Sequence, residues 1–420
     1  MPEETQLFTP DEQTVSVLLD CLRYDGRPPS RDALARLAET EWQALAALAS
    51  RQSLGPLLDH RLTRAGLAAL MPDAVKDRLR QEYRHNTLRN LKLEAELRQM
   101  VTAFRAAGIP VIALKGIYLA LAVYKNRGLR SMSDIDLLLP PRQLEAARQA
   151  LLAIGYSEAQ EEIPSTSFQH LPPLRKPDSV ASVELHWTIL PETGPFQLDV
   201  DGLWQRAIPL PVSDFELLAL CSEDMLLHLC LHTAYMHRFV QGVRSLVDLA
   251  EIIHLAGDSL DWAALEERSR RWQCLNAVQL SLRLARQLLH LPLPTEAVAA
   301  VEAVEIPPQL LGYALNQLLG AETERITIAR NFADLWSDAS PAAKAGIVWR
   351  SIFRPKKFIA RMYGLPEDSW RVYGYYPVRA WGLWRRYSGS AREMLAGESP
   401  LADGIGLDNA LVDWLEQRPD

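Results

Sequence analysis

Cysteine is scarce in this 420-residue chain. There are four (Cys21, Cys221, Cys230, Cys274), and none forms a CxxC pair. That excludes a disulfide framework or a zinc knuckle and fits a reducing, cytoplasmic compartment. Long apolar runs are missing too. The longest uncharged stretch, Ile306 to Ala321, has 16 residues and carries two prolines, two glutamines and an asparagine. A membrane-spanning helix needs about 20 mainly apolar residues, so no span is expected. The opening Met-Pro-Glu-Glu-Thr-Gln is acidic with no apolar segment behind it, and a secretory signal is not expected either. Internal repeats and low-complexity segments are also lacking. Positive charge is not in surplus: the net charge of −7 argues against a bulk nucleic-acid binder.

What is present is the balance of an ordinary globular protein, 48% apolar and 23% charged. The length suffices for about two or three domains with a full core. The average charge hides an asymmetry. Between Lys344 and Glu393 stand 11 basic residues against three acids, a net of +8 that leaves −15 elsewhere. Eleven aromatic residues, from Trp349 to Tyr387, are interleaved in that window. Such a region can bind RNA by phosphate contact and stacking or touch anionic lipid. It can equally be a helical subdomain with an aromatic core and solvated arginines, and this plainer reading leads.

Residues 11 to about 108 have helical periodicity, with an Ala/Leu-rich stretch at Arg31–Leu54 and a long amphipathic helix at Asn86–Ala107 that Gly108 stops. The pattern then shifts. Ile109–Leu114 is a short apolar run rich in β-branched residues, hence a buried strand. Gly116–Tyr124 has the length of a short helix, and Lys125–Gly128 is a turn. Asp134–Leu139 is a second strand, stopped by Pro140-Pro141; a helix ending near Gly155 and a strand at Val180–Ile189 follow. From Ser213 onward the helical period returns, with Ser213-x-x-Glu216 and Ser222-Glu-Asp as helix starts and Leu246, Leu249, Ala250 and Ile253 as one apolar face. The expected class is α+β, mostly α. A small mixed sheet at 96–205 lies between helical regions at 1–95 and 206–340, with the basic-aromatic region at 341–420.

The candidate chemistry lies in Arg130-Ser-Met-Ser-Asp-Ile-Asp-Leu-Leu-Leu139. Residues two apart on a strand point to the same side, so Asp134 and Asp136 aim both carboxylates at one spot. Buried like charges repel unless neutralised. Mg²⁺ suits such a pair because it takes one or two carboxylates plus substrate phosphate oxygens, and in phosphoryl or nucleotidyl transfer two such ions clamp the attacking and leaving oxygens. Asp-x-Asp alone is a weak signal, since a solvated strand edge has the same spelling. The unbroken apolar run after the acids strengthens it. In Ser182-Val-Glu-Leu-His-Trp187, alternation places Glu184 and His186 together, so Glu184 can complete an acid triad as metal ligand or general base. Upstream, Lys115-Gly116 joins a strand to a helix, where glycine admits a phosphate close to the backbone and the lysine adds a cation. Arg130 can reach a triphosphate or balance the acids.

Leu-Lys-Gly, a spacer, Arg-Ser-Met-Ser-Asp-Ile-Asp-Leu-Leu and then Glu-Leu-His-Trp together resemble the bacterial uncharacterised nucleotidyltransferase family of the polymerase-β-like superfamily. The resemblance extends to the Ile109–Leu114 approach strand and, more loosely, to Glu223–His232 and Arg244–Asp248, covering about residues 40 to 260. It implies transfer of a nucleoside monophosphate from an NTP such as ATP to a hydroxyl acceptor with Mg²⁺, or Mn²⁺ in its place. It implies Asp134, Asp136 and Glu184 as catalytic metal ligands. It implies Lys115 and Gly116 as the nucleotide turn; Arg130, Ser133 and His232 are the further nucleotide-binding candidates. In that superfamily a Gly-Ser or Gly-Gly pair usually precedes the acids by a dozen or so residues; here Lys115-Gly116 stands further upstream. The acceptor, whether small molecule, protein or RNA, and the oligomeric state are not specified. The alternative is a non-catalytic nucleotide-binding or RNA-binding protein on the same fold.

Asp224, His228 and His232 fall at i, i+4 and i+8 of a helix. Eight residues rise about 12 Å, too far for all three to share one ion. Packing or cleft-lining histidines are therefore expected rather than a zinc site, with His232 facing the nucleotide.

Overall fold

The computed structural model describes residues 11–158, 169–177, 179–191, 194–320, 353, 356, 369–378, 380–381 and 400–417. The chain divides into two compact units, Met1–Gly320 with Asp413–Asp420, and Ala321–Val412. Most of the basic-aromatic window lies outside the described residues. Of its described aromatics, Phe353, Trp370, Tyr373 and Trp381 are exposed. Among the described residues no helix is long and apolar enough to cross a membrane.

Helices α1 (Glu12–Cys21), α2 (Arg31–Ala35), α3 (Glu39–Arg51) and α4 (Gly55–Arg64) precede α5 (Asp73–Ala106). Asp11 caps α1 by accepting from the Thr14 amide at 2.7 Å, and α4 opens with Pro56 in its first turn. At 34 residues, α5 begins 13 residues before the expected Asn86. Its apolar stripe (Leu93, Leu97, Met100, Val101, Phe104) is buried, and Gly108, at φ 68°, turns the chain out of it.

The N-terminal half of α5 holds the approach to the site with polar side chains. Asn86 Nδ2 donates to the Gly128 carbonyl at 2.7 Å, and Asn90 Nδ2 donates to the Arg127 and Arg130 carbonyls at 2.6 and 2.7 Å. Arg89 donates to the Met132 and Val180 carbonyls at 2.8 and 2.6 Å. The loop entering the acidic strand and Val180, two residues before the Glu184 strand, are thus fixed to one helix. Gly128 lies so close to α5 that a Cβ there would overlap the Tyr83 ring and the Thr87 hydroxyl.

Seven strands, among the described residues, form one sheet: β1 (Ile112–Ala113), β2 (Asp134–Leu138), β3 (Ser157–Glu158), β4 (Leu174–Arg175), β5 (Ser182–His186), β6 (Ile208–Val212) and β7 (Phe215–Ala219). Their order is β3-β4-β5-β2-β1-β7-β6. β2 runs parallel to β5 and antiparallel to β1, and β1 runs parallel to β7. The sheet is therefore mixed, and the α+β, mostly helical class holds. Ile135, Leu137 and Val183 are fully buried and Leu185 nearly so, as strand alternation requires of the face opposite the acids.

Between β1 and β2, α6 (Lys115–Tyr118) runs into a π-helical turn at Leu119–Val123. Then come α7 (Leu144–Ala153), α8 (Val200–Gln205), α9 (Ser222–Leu231), α10 (Val243–Ala256), α11 (Trp262–Arg271), α12 (Leu275–Leu289), α13 (Thr295–Ala303), α14 (Pro308–Leu319) and α15 (Pro400–Glu416). The expected start at Ser222 and the apolar face of α10 hold. Ser213, however, starts no helix. It is the first of two loop residues joining the antiparallel β6 and β7. Its φ of 51° suits such a loop, and its hydroxyl donates to Glu94 at 2.7 Å instead of capping. The Ser-x-x-Glu spelling fits both structures; Leu210, Val212, Leu217 and Ala219, all buried at period two, decide for the hairpin.

Candidate functional site

The register of β2 against β5 sets Asp136 directly beside Glu184 and Asp134 beside Ser182. Because the strands are parallel, both acids and His186 project from one face. Asp136 is 2% exposed. His186 Nε2 lies 2.9 Å from Asp136 Oδ1 and 3.3 Å from Glu184 Oε2, and Lys115 Nζ donates to Asp136 Oδ1 at 3.4 Å. His170 adds a second imidazole 3.7 Å from Glu184. The ligand atoms of Asp136, Glu184 and His186 all lie within 4.8 Å of one another. Asp134, partly exposed two residues earlier on the strand, forms no ion pair among the described residues.

Burial opposes charge on Asp136, but Lys115 and the His186 hydrogen bond outweigh it and hold this carboxyl well below the usual range. Asp134 goes the other way: burial and then the neighbouring Asp136 push its pKa up, with Lys115 offsetting only part. Two acids one pleat apart are thereby split in proton affinity. His186 is pulled toward neutrality by burial, yet its bonds to Asp136 and Glu184 raise it above the ordinary imidazole value.

Lys115 has φ 36°, the left-handed region, which costs a side-chain-bearing residue about 1–3 kcal/mol. At that bend Leu114 donates its amide to the Asp136 carbonyl at 3.1 Å, and the strained turn brings the Lys115 ammonium to the acid. At Gly116 a Cβ would meet only Met132, at 3.5 Å. The surrounding protein does not itself demand glycine there.

A cavity of about 150 Å³ opens between this face of the sheet, with the loop leading into β2, and the segment from α9 to α10. One wall carries Lys115, Gly116, Arg130, Ser133, Asp134 and Asp136; the other carries His232, His237, Gln241, Arg244 and Asp248. The structure thus gathers all the sequence-expected residues except Glu184 on this cavity's walls, and Glu184 stands next to Asp136. Arg130 has a partner the sequence did not reveal. Its Nε and Nη2 donate to Asp248 at 2.8 and 2.7 Å, and Tyr124 OH donates to the same carboxylate at 2.8 Å. His232 faces His237, with Nε2 to Nε2 at 3.1 Å. Burial, Lys115 and His237 hold His232 well below the ordinary imidazole pKa, so it is neutral near pH 7.

The Asp224, His228, His232 stripe does not converge. Asp224 accepts from Arg206 at 2.9 Å and from Arg268 at 3.1 Å. His228 is fully buried with both ring nitrogens unpartnered among the described residues. Sequence reasoning took Arg244–Asp248 only as a looser part of the resemblance and gave Arg244, Asp248 and His237 no role. The i, i+4 pair Arg244 and Asp248 on one helix was the available signal for the first two. A larger cavity, about 650 Å³, lies past the ends of β2 and β5 against Trp187, Phe196 and Trp204. Among the described residues Asp201 is its one ionisable lining residue, so the smaller cleft, where charged groups converge, is the better candidate for chemistry.

A family model described as uncharacterised nucleotidyltransferase matches residues 38–290, more than half of the chain. No curated protein and no solved structure shows significant similarity to it.

Proposed function

Since the chain belongs to the uncharacterised nucleotidyltransferase family, we propose that it transfers a nucleoside monophosphate from an NTP, such as ATP, to a hydroxyl acceptor in the cleft above β2 and β5. The observation that carries this reading is the side-by-side placement of Asp136 and Glu184, whose ligand atoms fall with that of His186 inside 4.8 Å. Oxygen donors at this spacing fit a hard divalent cation, Mg²⁺ or Mn²⁺. Asp134, Asp136 and Glu184 would hold it, and His186 fits as the hydrogen-bond partner that orients Asp136. When bound, the ion supplies charge neutralisation at the acid cluster and stabilises charge on phosphate oxygens.

The chain's own residues supply the rest. Lys115 and Gly116 border the triphosphate, with Ser133 on the same wall. Glu184, half-buried and flanked by two imidazoles, takes the proton of the attacking hydroxyl. His232, neutral across the cleft, offers the nucleotide a hydrogen bond rather than a competing charge. Arg130, engaged by Asp248, shapes this wall more than it grips substrate.

Thermal unfolding with each NTP, with and without Mg²⁺, tests the proposal. Stabilisation that needs Mg²⁺ and disappears in Asp136→Asn is expected. Stabilisation independent of Mg²⁺ and retained in Asp136→Asn would contradict it.

A further inference from the structure

The charges of the cleft pair off with two exceptions. Lys115 meets Asp136 and Arg130 meets Asp248. Asp134 and Arg244 are left. Asp134 belongs to the proposed metal site. Arg244 makes no hydrogen bond and no ion pair among the described residues, although it lines the cleft and is half-buried there.

Three features make this an expensive place for a lone guanidinium. The strongest charge acting on it is Arg130, a repulsion that depresses its pKa, followed by loss of hydration; attraction to Asp248 and Asp134, neither within ion-pair distance, offsets only part of this. Arg244 also stands in the first turn of the 14-residue α10, which contains no acid in that turn. A helix N-terminus carries partial positive charge, so a cation there is disfavoured. Structural arginines in such positions are ordinarily paired, because an uncompensated buried charge is strongly destabilising. The arrangement is sensible if an anion completes it.

We propose that Arg244 is a binding residue for the β- and γ-phosphates of the nucleoside triphosphate. This rests on the reading in the preceding subsection and deepens it. Asp134 and Asp136 of the proposed metal site and the guanidinium of Arg244 line one cavity of about 150 Å³. That is a fraction of the ~300–1,000 Å³ that encloses a whole small molecule, and it suits a phosphate tail with base and sugar outside. Arginine matches phosphate with parallel N–H donors, which lysine cannot reproduce.

The test compares wild type with Arg244→Gln and Arg244→Lys, using inorganic tripolyphosphate, the four NTPs with Mg²⁺, and adenosine as probes. Titration calorimetry is expected to show tripolyphosphate and NTP affinity falling about 10- to 100-fold in Arg244→Gln, with the lysine variant between, and no change for adenosine. Without ligand, Arg244→Gln is expected to melt no lower than wild type, since it removes a charge whose repulsion by Arg130 and lost hydration outweigh its attraction to Asp248 and Asp134. A purely structural arginine predicts a lower melting temperature instead, and that outcome overturns the assignment. So does unchanged tripolyphosphate affinity in Arg244→Gln while wild type still binds NTP with Mg²⁺; the broader reading then stands. If wild type binds neither tripolyphosphate nor any NTP, both fall together.

Discussion

Arg130 is engaged at 2.7–2.8 Å by an acid 118 residues further along the chain, and Asp248→Ala tests what that pair does. The two side chains are 10% and 5% exposed. Arginine cannot shed its proton at accessible pH, so removing Asp248 leaves a buried positive charge facing Arg244. Breaking one side of a buried ion pair costs about 3–5 kcal/mol. The Tyr124 hydroxyl loses its acceptor as well, a loss that overlaps this figure rather than adding to it. For a unit of this size the melting temperature should fall on the order of 10 °C. The charge-free double variant Arg130→Met/Asp248→Leu should recover most of the loss because neither ion must then be desolvated. Asp248→Ala/Arg244→Gln should recover part, by removing the repelling neighbour. Thermal melts of the four proteins without nucleotide provide the measurement. A loss below roughly 1 kcal/mol in Asp248→Ala, the scale of an exposed pair, would refute the reasoning, as would a double variant less stable than the single.

Three further outcomes follow from the geometry. The raised pKa of His186 means its contribution is complete below the ordinary imidazole pKa, about 6.5, and fades as pH rises through the folded-state value. In EDTA, the melting-temperature gap between wild type and His186→Asn should therefore shrink from pH ~6 to pH ~9; a gap that widens with pH contradicts the assigned bonds. Gly128→Ala should cost about 1–3 kcal/mol in urea unfolding, from overpacking against Tyr83 and Thr87, with partial relief in a Tyr83→Ala background. His228→Leu should be neutral or stabilising by up to about 1 kcal/mol, since two unpartnered buried nitrogens are replaced by apolar surface; a loss of several kcal/mol would show that His228 has a partner or a role.

The acidic strand was legible because its information is local. Period two alone sets Asp134 and Asp136 on one side of their strand and Glu184 with His186 on one side of theirs; the remaining step, that the two strands are parallel neighbours in matching register, brings those sides onto one face of the sheet. Long-range pairings were not legible. Nothing within a window around Arg130 announces Asp248, and so a residue suited to a triphosphate is found engaged with an acid on α10. The polar residues of α5 are a second case. Asn86, Arg89 and Asn90 have the spelling of a solvated face, yet they grip carbonyls of the loop before β2 and of Val180, two residues before β5. Ser213 shows local ambiguity of another kind, since one four-residue pattern serves a helix start and a two-residue hairpin. Only the partner strand distinguishes them.

The central claim is that acids from two neighbouring strands support transfer of a nucleoside monophosphate. Incubation with α-phosphate-labelled NTPs, Mg²⁺ and fractionated lysate tests it most directly. Label should enter one acceptor fraction with release of pyrophosphate, and Asp134→Asn and Glu184→Gln proteins of normal stability should transfer none. Label transfer undiminished in both variants, or none from the wild type with any NTP across all fractions, would contradict the account.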